Sequence, residues 1–274
     1  MTEDLKILLH YENCNYSQIG YKKLLQDLLL KQLKIFDKIC KKHNIEYFFT
    51  HGTLLGIIRY QKMIPWDIDI NIGMLRAEYN KFKQVFNIYS NIISLKFDEK
   101  HILEYGVSYL YHQDIAIYQK IQIMPFDIIY KKFSVGEQTD FAKNIYQITK
   151  QILNKEIDYN YKVNDYESFK DSIDIKNTTI IQNINYPYSA KPVVYFYDDI
   201  FPLKNCIFHN HKYKALINNY NKYIYTMYGI NTEYINYQAY NYKNDNLQLT
   251  IDLLIKDRLD KKIEEYLLND DEII

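Results

Sequence analysis

Residues 65–74 read PWDIDINIGM, and within them Asp67, Asp69 and Asn71 alternate with Ile68, Ile70 and Ile72. Period two is the signature of a strand, on which successive side chains take opposite faces. Three oxygen-bearing side chains therefore fall on one face, about 7 Å apart at twice the rise per residue, and the isoleucines enter the core. Mg2+ takes oxygen ligands and is usually held by one or two carboxylates together with substrate phosphates. Asp67 and Asp69 are accordingly the candidate catalytic and metal-binding pair, with Asn71 beside them.

Upstream, three of the chain's seven glycines fall between residues 52 and 73. Gly52 and Gly56 bracket a short helical turn, and Gly52-Thr53 at a strand end brings backbone N–H groups and a hydroxyl close to a phosphate with no side chain in the way. Arg59 follows the turn with a guanidinium suited to bidentate phosphate contact. His51 is a weaker substrate-binding candidate, and Trp66, beside Pro65, reads as a packing anchor. Further upstream Leu24, Leu25, Leu28, Leu29, Ile35, Phe36 and Ile39 recur at three- and four-residue intervals, an amphipathic helix that stops near His43-Asn44. Ile45–Thr50 reads as a buried strand.

Downstream, the spacing predicts a helix over Leu75–Tyr89 and strands over Tyr105–Leu110 and Ala116–Met124. Residues 140–190 have weak periodicity and read as helical with a variable loop. A helix over Lys212–Tyr228 ends at Gly229, and a last amphipathic helix covers Leu247–Leu268, able to pack on its own domain or on another chain. Helices interleaved with strands make the class mixed α/β or α+β.

The 274 residues are 47% apolar, ample for a buried core, and their 34 basic and 34 acidic side chains cancel. That balance gives no support to nucleic-acid binding. Cys14, Cys40 and Cys206 are odd in number and widely spaced, which fits a reducing compartment, the cytoplasm most simply, rather than a disulfide framework. The opening MTEDLKILLH shows no leader pattern, and no stretch reaches the ~18 apolar residues of a membrane span. Cys206, His209 and His211 resemble part of a zinc site, but structural zinc wants four ligands and no further Cys or His follows.

The continuous stretch KICKKHNIEYFFTHGTLLGIIRYQKMIPWDIDINIGM, residues 38–74, resembles the LicD family, which includes bacterial phosphocholine transferases and fukutin-type ribitol-phosphate transferases. The likeness continues more weakly through IQIMPFD at 121–127, FPL at 201–203 and Tyr228-Gly229. It implies an α+β, nucleotidyltransferase-like mixed sheet flanked by helices, with additional C-terminal helices, in one domain over residues 1–274: a core at about 22–130 and a helical elaboration at about 131–274. It also implies Mg2+ or Mn2+, a CDP-linked donor and a glycan acceptor, with Gly52, Thr53, Arg59, Asn71 and Gln122 binding substrate. The family usually places a third carboxylate where this chain has Asn71 and another where it has Gln122. An amide supplies no charge and no general base, and Asp127, five residues beyond Gln122, is a partial substitute only if Pro125 bends the strand. The activity expected is transfer of a phosphocholine- or polyol-phosphate-like group to a glycan hydroxyl. A catalytically degenerate nucleotide- or glycan-binding homologue and a nucleotidyltransferase remain the alternatives.

Overall fold

Leucine, isoleucine and phenylalanine at helical spacing drive α1, Tyr16–Lys42, to bury Leu25, Leu28, Leu29, Leu33, Phe36 and Ile39 completely. The structure, a computed structural model, describes residues 16–65, 67–99, 107–115, 120–129, 179–182, 194–228 and 258–268. Helix α1 ends as its sequence predicts. Lys41 and Lys42 lie in the last turn, Asn44 adopts φ 50°, and the amides of Asn44 and Ile45 donate to the carbonyls of Lys41 and Cys40 at 3.3 and 2.8 Å. This paired capping satisfies carbonyls that the helix itself leaves without partners.

The chain then forms β1 (Phe48–Phe49), α2 (His51–Tyr60), β2 (Ile70–Leu75), α3 (Arg76–Tyr89), β3 (Leu95–Asp98), β4 (Ser108–His112) and β5 (Ile121–Ile129). In the sheet they run β1-β2-β5-β4-β3. Strands β2 and β5 are parallel, with Ile70 opposite Ile121 and Asn71 opposite Gln122, and the other pairs are antiparallel. On its far edge β5 changes partners: residues 121–123 pair with β4, and residues 126–129 pair with β6, Thr179–Gln182. Strand β7, Val194–Phe196, extends the sheet from β6. The result is the expected mixed sheet flanked by helices.

Pro125 does not break β5. On the far edge it falls between the residues paired to β4 and those paired to β6, and on the near edge it stands opposite Met74 of β2. Asp127 therefore does not bend back to replace a missing acid. It is buried, and Arg76, the first residue of α3, grips it through Nε–Oδ1 at 2.8 Å and Nη2–Oδ2 at 2.9 Å.

Several boundaries depart from expectation. Strand β1 is two residues rather than six, and α2 is a ten-residue helix rather than a turn. Strands β4 and β5 begin three and five residues later than their spacing predicts, and β3 was not foreseen. The stretch assigned to one helix over Lys212–Tyr228 divides into β9, His211–Leu216, and α5, Tyr220–Tyr228. Buried Tyr213, Ala215 and Ile217 alternate with more exposed neighbours, so period two prevails there over helical spacing. With β6, β7 and β8 (Lys204–Phe208), strands enter the part of the chain read as helical; α4, Tyr197–Ile200, links β7 to β8. Residues 140–178, Gly229, Leu247 and most of the helix predicted from it lie outside the described residues, as do Trp66 and Cys14. Helix α6, Leu259–Leu268, covers the end of that prediction and buries Ile263 and Tyr266. It packs on α1, where Lys31 donates to the Tyr266 carbonyl and places its ammonium 4.1 Å from the Tyr266 ring centroid.

Strands β8 and β9 form a two-residue hairpin whose tip, His209 at φ 46° and Asn210 at φ 62°, has the left-handed pair that such turns require. The tip docks on the loop after α2: the His209 amide donates to the Gln61 carbonyl, and the Met63 amide donates to His209 Nε2, both at 2.9 Å. An accepting ring nitrogen must be unprotonated. Burial, reinforced by Lys62, pushes the His209 pKa down to about 4. Burial pushes the Cys206 thiol up to about 11, and among the described residues no group of three or more His, Cys, Asp or Glu is placed to hold a metal.

Two outcomes are expected. Because His209 stays neutral in the folded chain but titrates near 6.5 once unfolded, its contribution to stability is present above pH 6.5. It is lost as pH falls toward about 4. Thermal melts of His209→Asn, which tolerates the left-handed turn, are expected to show a flatter decline from pH 6.5 to 5 than the parent. Arg76→Ala leaves Asp127 buried without its guanidinium, and urea denaturation is expected to show a loss of about 3 kcal/mol.

Candidate active site

The site begins where α2 is tied to β2. The Thr50 amide donates to the Asn71 carbonyl at 3.1 Å, and the Asn71 amide donates to the Thr53 hydroxyl at 2.8 Å. Both bonds of one strand residue thus go to the entry of α2. His51, at φ 49°, turns the chain between them, with its Nδ1 3.0 Å from the Thr50 hydroxyl. Thr53 is buried, so its hydroxyl fastens the helix to the strand, whereas the sequence reading had it facing a phosphate.

That fastening brings Gly52 against the acidic loop. A Cβ at Gly52 would lie 2.6 Å from Asp67 Oδ2 and 3.7 Å from Asn71 Oδ1, the first far inside contact distance. The glycine is needed here because a carboxylate occupies the space, while Gly56 is needed because the Lys62 carbonyl, 2.6 Å from its own would-be Cβ, occupies that one. Asp67 precedes the strand. Its amide donates to the Ile64 carbonyl at 2.9 Å, closing a turn, and its carbonyl accepts from Gln26 Nε2 of α1 at 2.9 Å. The side chain is buried.

Strand β2 begins at Ile70, so Asp67 and Asp69 belong to the loop leading into it, and only Asn71 lies in the strand proper. The cluster nevertheless forms. Asp69 Oδ2 accepts from Asn71 Nδ2 at 2.9 Å and from Gln122 Nε2 at 3.1 Å, and the parallel register sets Asn71 beside Gln122. The two amide positions flagged in the sequence thus meet at one carboxylate oxygen.

The oxygens gathered here suit a hard cation: Asp67 Oδ2 and Asn71 Oδ1 both face Gly52, with Asp69 adjoining. Because Asp69 Oδ2 is engaged by two amides, Asp69 could meet a cation through Oδ1 at most. Mg2+ or Mn2+ would thus be held by Asp67, Asp69 and the Asn71 amide oxygen, with remaining positions filled by substrate phosphate or water. Arg59 is half-buried in the last turn of α2. Seven residues from Gly52 is about two turns, so it lies on the same side of the helix, about 10 Å along its axis.

Sequence reasoning missed Gln26, which stands beside Asp27 in an amphipathic helix and carries no signal of its contact. It also missed the neighbours of Gln122. Tyr109 stands opposite Gln122 and Asp98 opposite Tyr109, so the row Asn71, Gln122, Tyr109, Asp98 crosses four strands.

Comparison with known proteins gives a family likeness over the stretch that carries this cluster. Residues 44–144 match the LicD family, described as the LicD/FKTN/FKRP nucleotidyltransferase domain. The LicD match runs from the end of α1 past β5 and includes every side chain of the cluster except Gln26. The lipopolysaccharide cholinephosphotransferase LicD of Haemophilus influenzae is 41% identical over 61 residues, 22% of this chain and 23% of that protein. An uncharacterized protein of Rickettsia typhi is 37% identical over 68 residues, covering 25% of this chain and 21% of its own length. Another, from Rickettsia prowazekii, is 33% identical over 79 residues, 29% of each. The chain therefore spans less than a third of the length of these relatives.

Gly52→Ala tests the packing directly. The added methyl must displace Asp67, so Mn2+ affinity measured by electron spin resonance is expected to fall at least tenfold, while circular dichroism retains the helical signal.

Proposed function

We propose that this chain is a metal-dependent transferase that moves a phosphocholine- or polyol-phosphate-like group from a CDP-linked donor to a glycan hydroxyl. The observation that carries the reading is the convergence of Asp67, Asp69, Asn71 and Gln122 at the entry of α2, beside a glycine whose absent side chain leaves room for the Asp67 carboxylate. The LicD match supports the class of reaction. In this reading the donor diphosphate lies along the first turn of α2, whose backbone amides and positive end favour anions, and Arg59 pairs with a phosphate farther along the same side. Bound Mg2+ or Mn2+ would offset the negative charge that builds on the diphosphate during transfer.

The acceptor hydroxyl oxygen attacks the phosphorus bearing the head group. The bond from that phosphorus to the bridging oxygen breaks, CMP leaves with the electron pair, and the hydroxyl proton passes to a base other than Asn71 or Gln122, which accept none. Asp69, held by both amides, keeps a fixed position through the step. The free, buried Cys40 and Cys206 support placing the protein in the cytoplasm, and no helix among the described residues is long and apolar enough to cross a membrane.

A second reading rests on the same amides. If two N–H donors satisfy Asp69 in place of a cation, the chain is a nucleotide- or glycan-binding homologue without turnover. Two variants separate the readings. Asp69→Ala is expected to lower metal-dependent turnover of a CDP-linked donor about a hundredfold or more. Asn71→Asp with Gln122→Asp adds up to two negative charges and is expected to tighten Mg2+ binding in calorimetry. Turnover that rises with it supports the transferase, and tighter binding with no product at any metal concentration supports the binding homologue.

A further inference from the structure

One strand beyond Gln122, the Lys120 ammonium sits 4.9 Å from the Tyr109 ring centroid and 4.5 Å from that of Tyr111. Tyr109 stands beside Gln122 in register, and Tyr111, two residues on, shares its face of β4. Asp98 stands opposite Tyr109 on β3 and bonds the Tyr111 side chain. Two aromatic faces with a carboxylate at their edge form a site for a cation, and it opens on the same sheet face as the acidic cluster. From the free chain's own use of it we infer that Tyr109, Tyr111 and Asp98 form a subsite for an ammonium-bearing head group of the donor, which Lys120 fills until that group displaces it.

The spacing suits such a donor. Strand separation of about 4.8 Å puts Tyr109 one strand from Gln122 and about 10 Å from Asn71, so a phosphorus held at the cluster leaves a short head group within reach of the rings. The exchange conserves charge, because one cation enters as another leaves. Lys120 is half-buried, and burial lowers its pKa against the opposing pull of Asp98; on displacement its ammonium regains hydration. A quaternary ammonium is more weakly hydrated than a primary one and gives up less on entering an aromatic site. A neutral polyol head group gains nothing there, so the subsite selects phosphocholine-like donors within the function proposed above, on which this inference rests.

Calorimetry of the full chain with Mg2+ and three probes, CDP, CDP-choline and tetramethylammonium, tests it. CDP-choline is expected to bind about tenfold tighter than CDP. Tyr109→Leu should remove that difference, and Lys120→Gln should widen it and make tetramethylammonium binding measurable. Equal affinity for CDP and CDP-choline in both the parent and Lys120→Gln overturns the subsite even if CDP binds well. If CDP does not bind but Lys120→Gln takes up tetramethylammonium, the subsite stands and the nucleotide reading falls. Lys120 lies just before β5 and outside its ladder, so this comparison holds even if Tyr109→Leu fails to fold.

Discussion

The hydrogen bond from the Asn71 amide to the Thr53 hydroxyl is the constraint on which the site depends. An unpaired amide at that depth would cost about 1–3 kcal/mol, so the chain gains by keeping α2 seated on the first residues of β2. That seat forces Gly52 against Asp67, and the turn made by Ile64 and Asp67 brings the carboxylate to meet it. The parallel register of β2 and β5 then supplies Gln122. Aromatic packing beneath, with Phe48 4.9 Å from Phe126 and Phe49 5.4 Å from Phe208 between ring centroids, fixes the height of the strands that carry these groups.

Two amides in place of two acids change the electrostatics more than the geometry. Asn71 and Gln122 occupy positions from which a carboxylate would reach the same point, but they donate to Asp69 instead of repelling it. Neighbouring carboxylates without a cation raise one another's pKa. Here the two amide donors on Asp69 Oδ2 offset that repulsion in part.

The sequence made some of this readable and concealed the rest for physical reasons. Helices α1 and α3 were legible because long apolar stripes and, at Asn44, a left-handed capping residue mark them unambiguously. The facing of Asn71 and Gln122 followed from a family pattern; their contact depends on a parallel pairing between segments about fifty residues apart, which no local spacing encodes. Boundaries failed where tertiary partners decide them: β1 is short because only Phe48 and Phe49 find a ladder on β2, and His211–Leu216 is extended because Lys204–Phe208 is there to pair with it. Thr53 was read as offering its hydroxyl to a phosphate, and that hydroxyl accepts from the Asn71 amide, since a hydroxyl's partner is invisible until the chain is folded.

The change of partners along β5 has a wider consequence for how the chain can vary. Ile129 pairs with Thr179, which holds the two ends of the intervening stretch of chain side by side, farther along β5 than Gln122. The entropy of closing such an excursion grows only with the logarithm of its length, about 0.6 kcal/mol per doubling. Chain can therefore be lengthened, shortened or exchanged between those two residues without altering the register that sets Asn71 beside Gln122, making this fork in the sheet a place where insertions leave the cluster as it is.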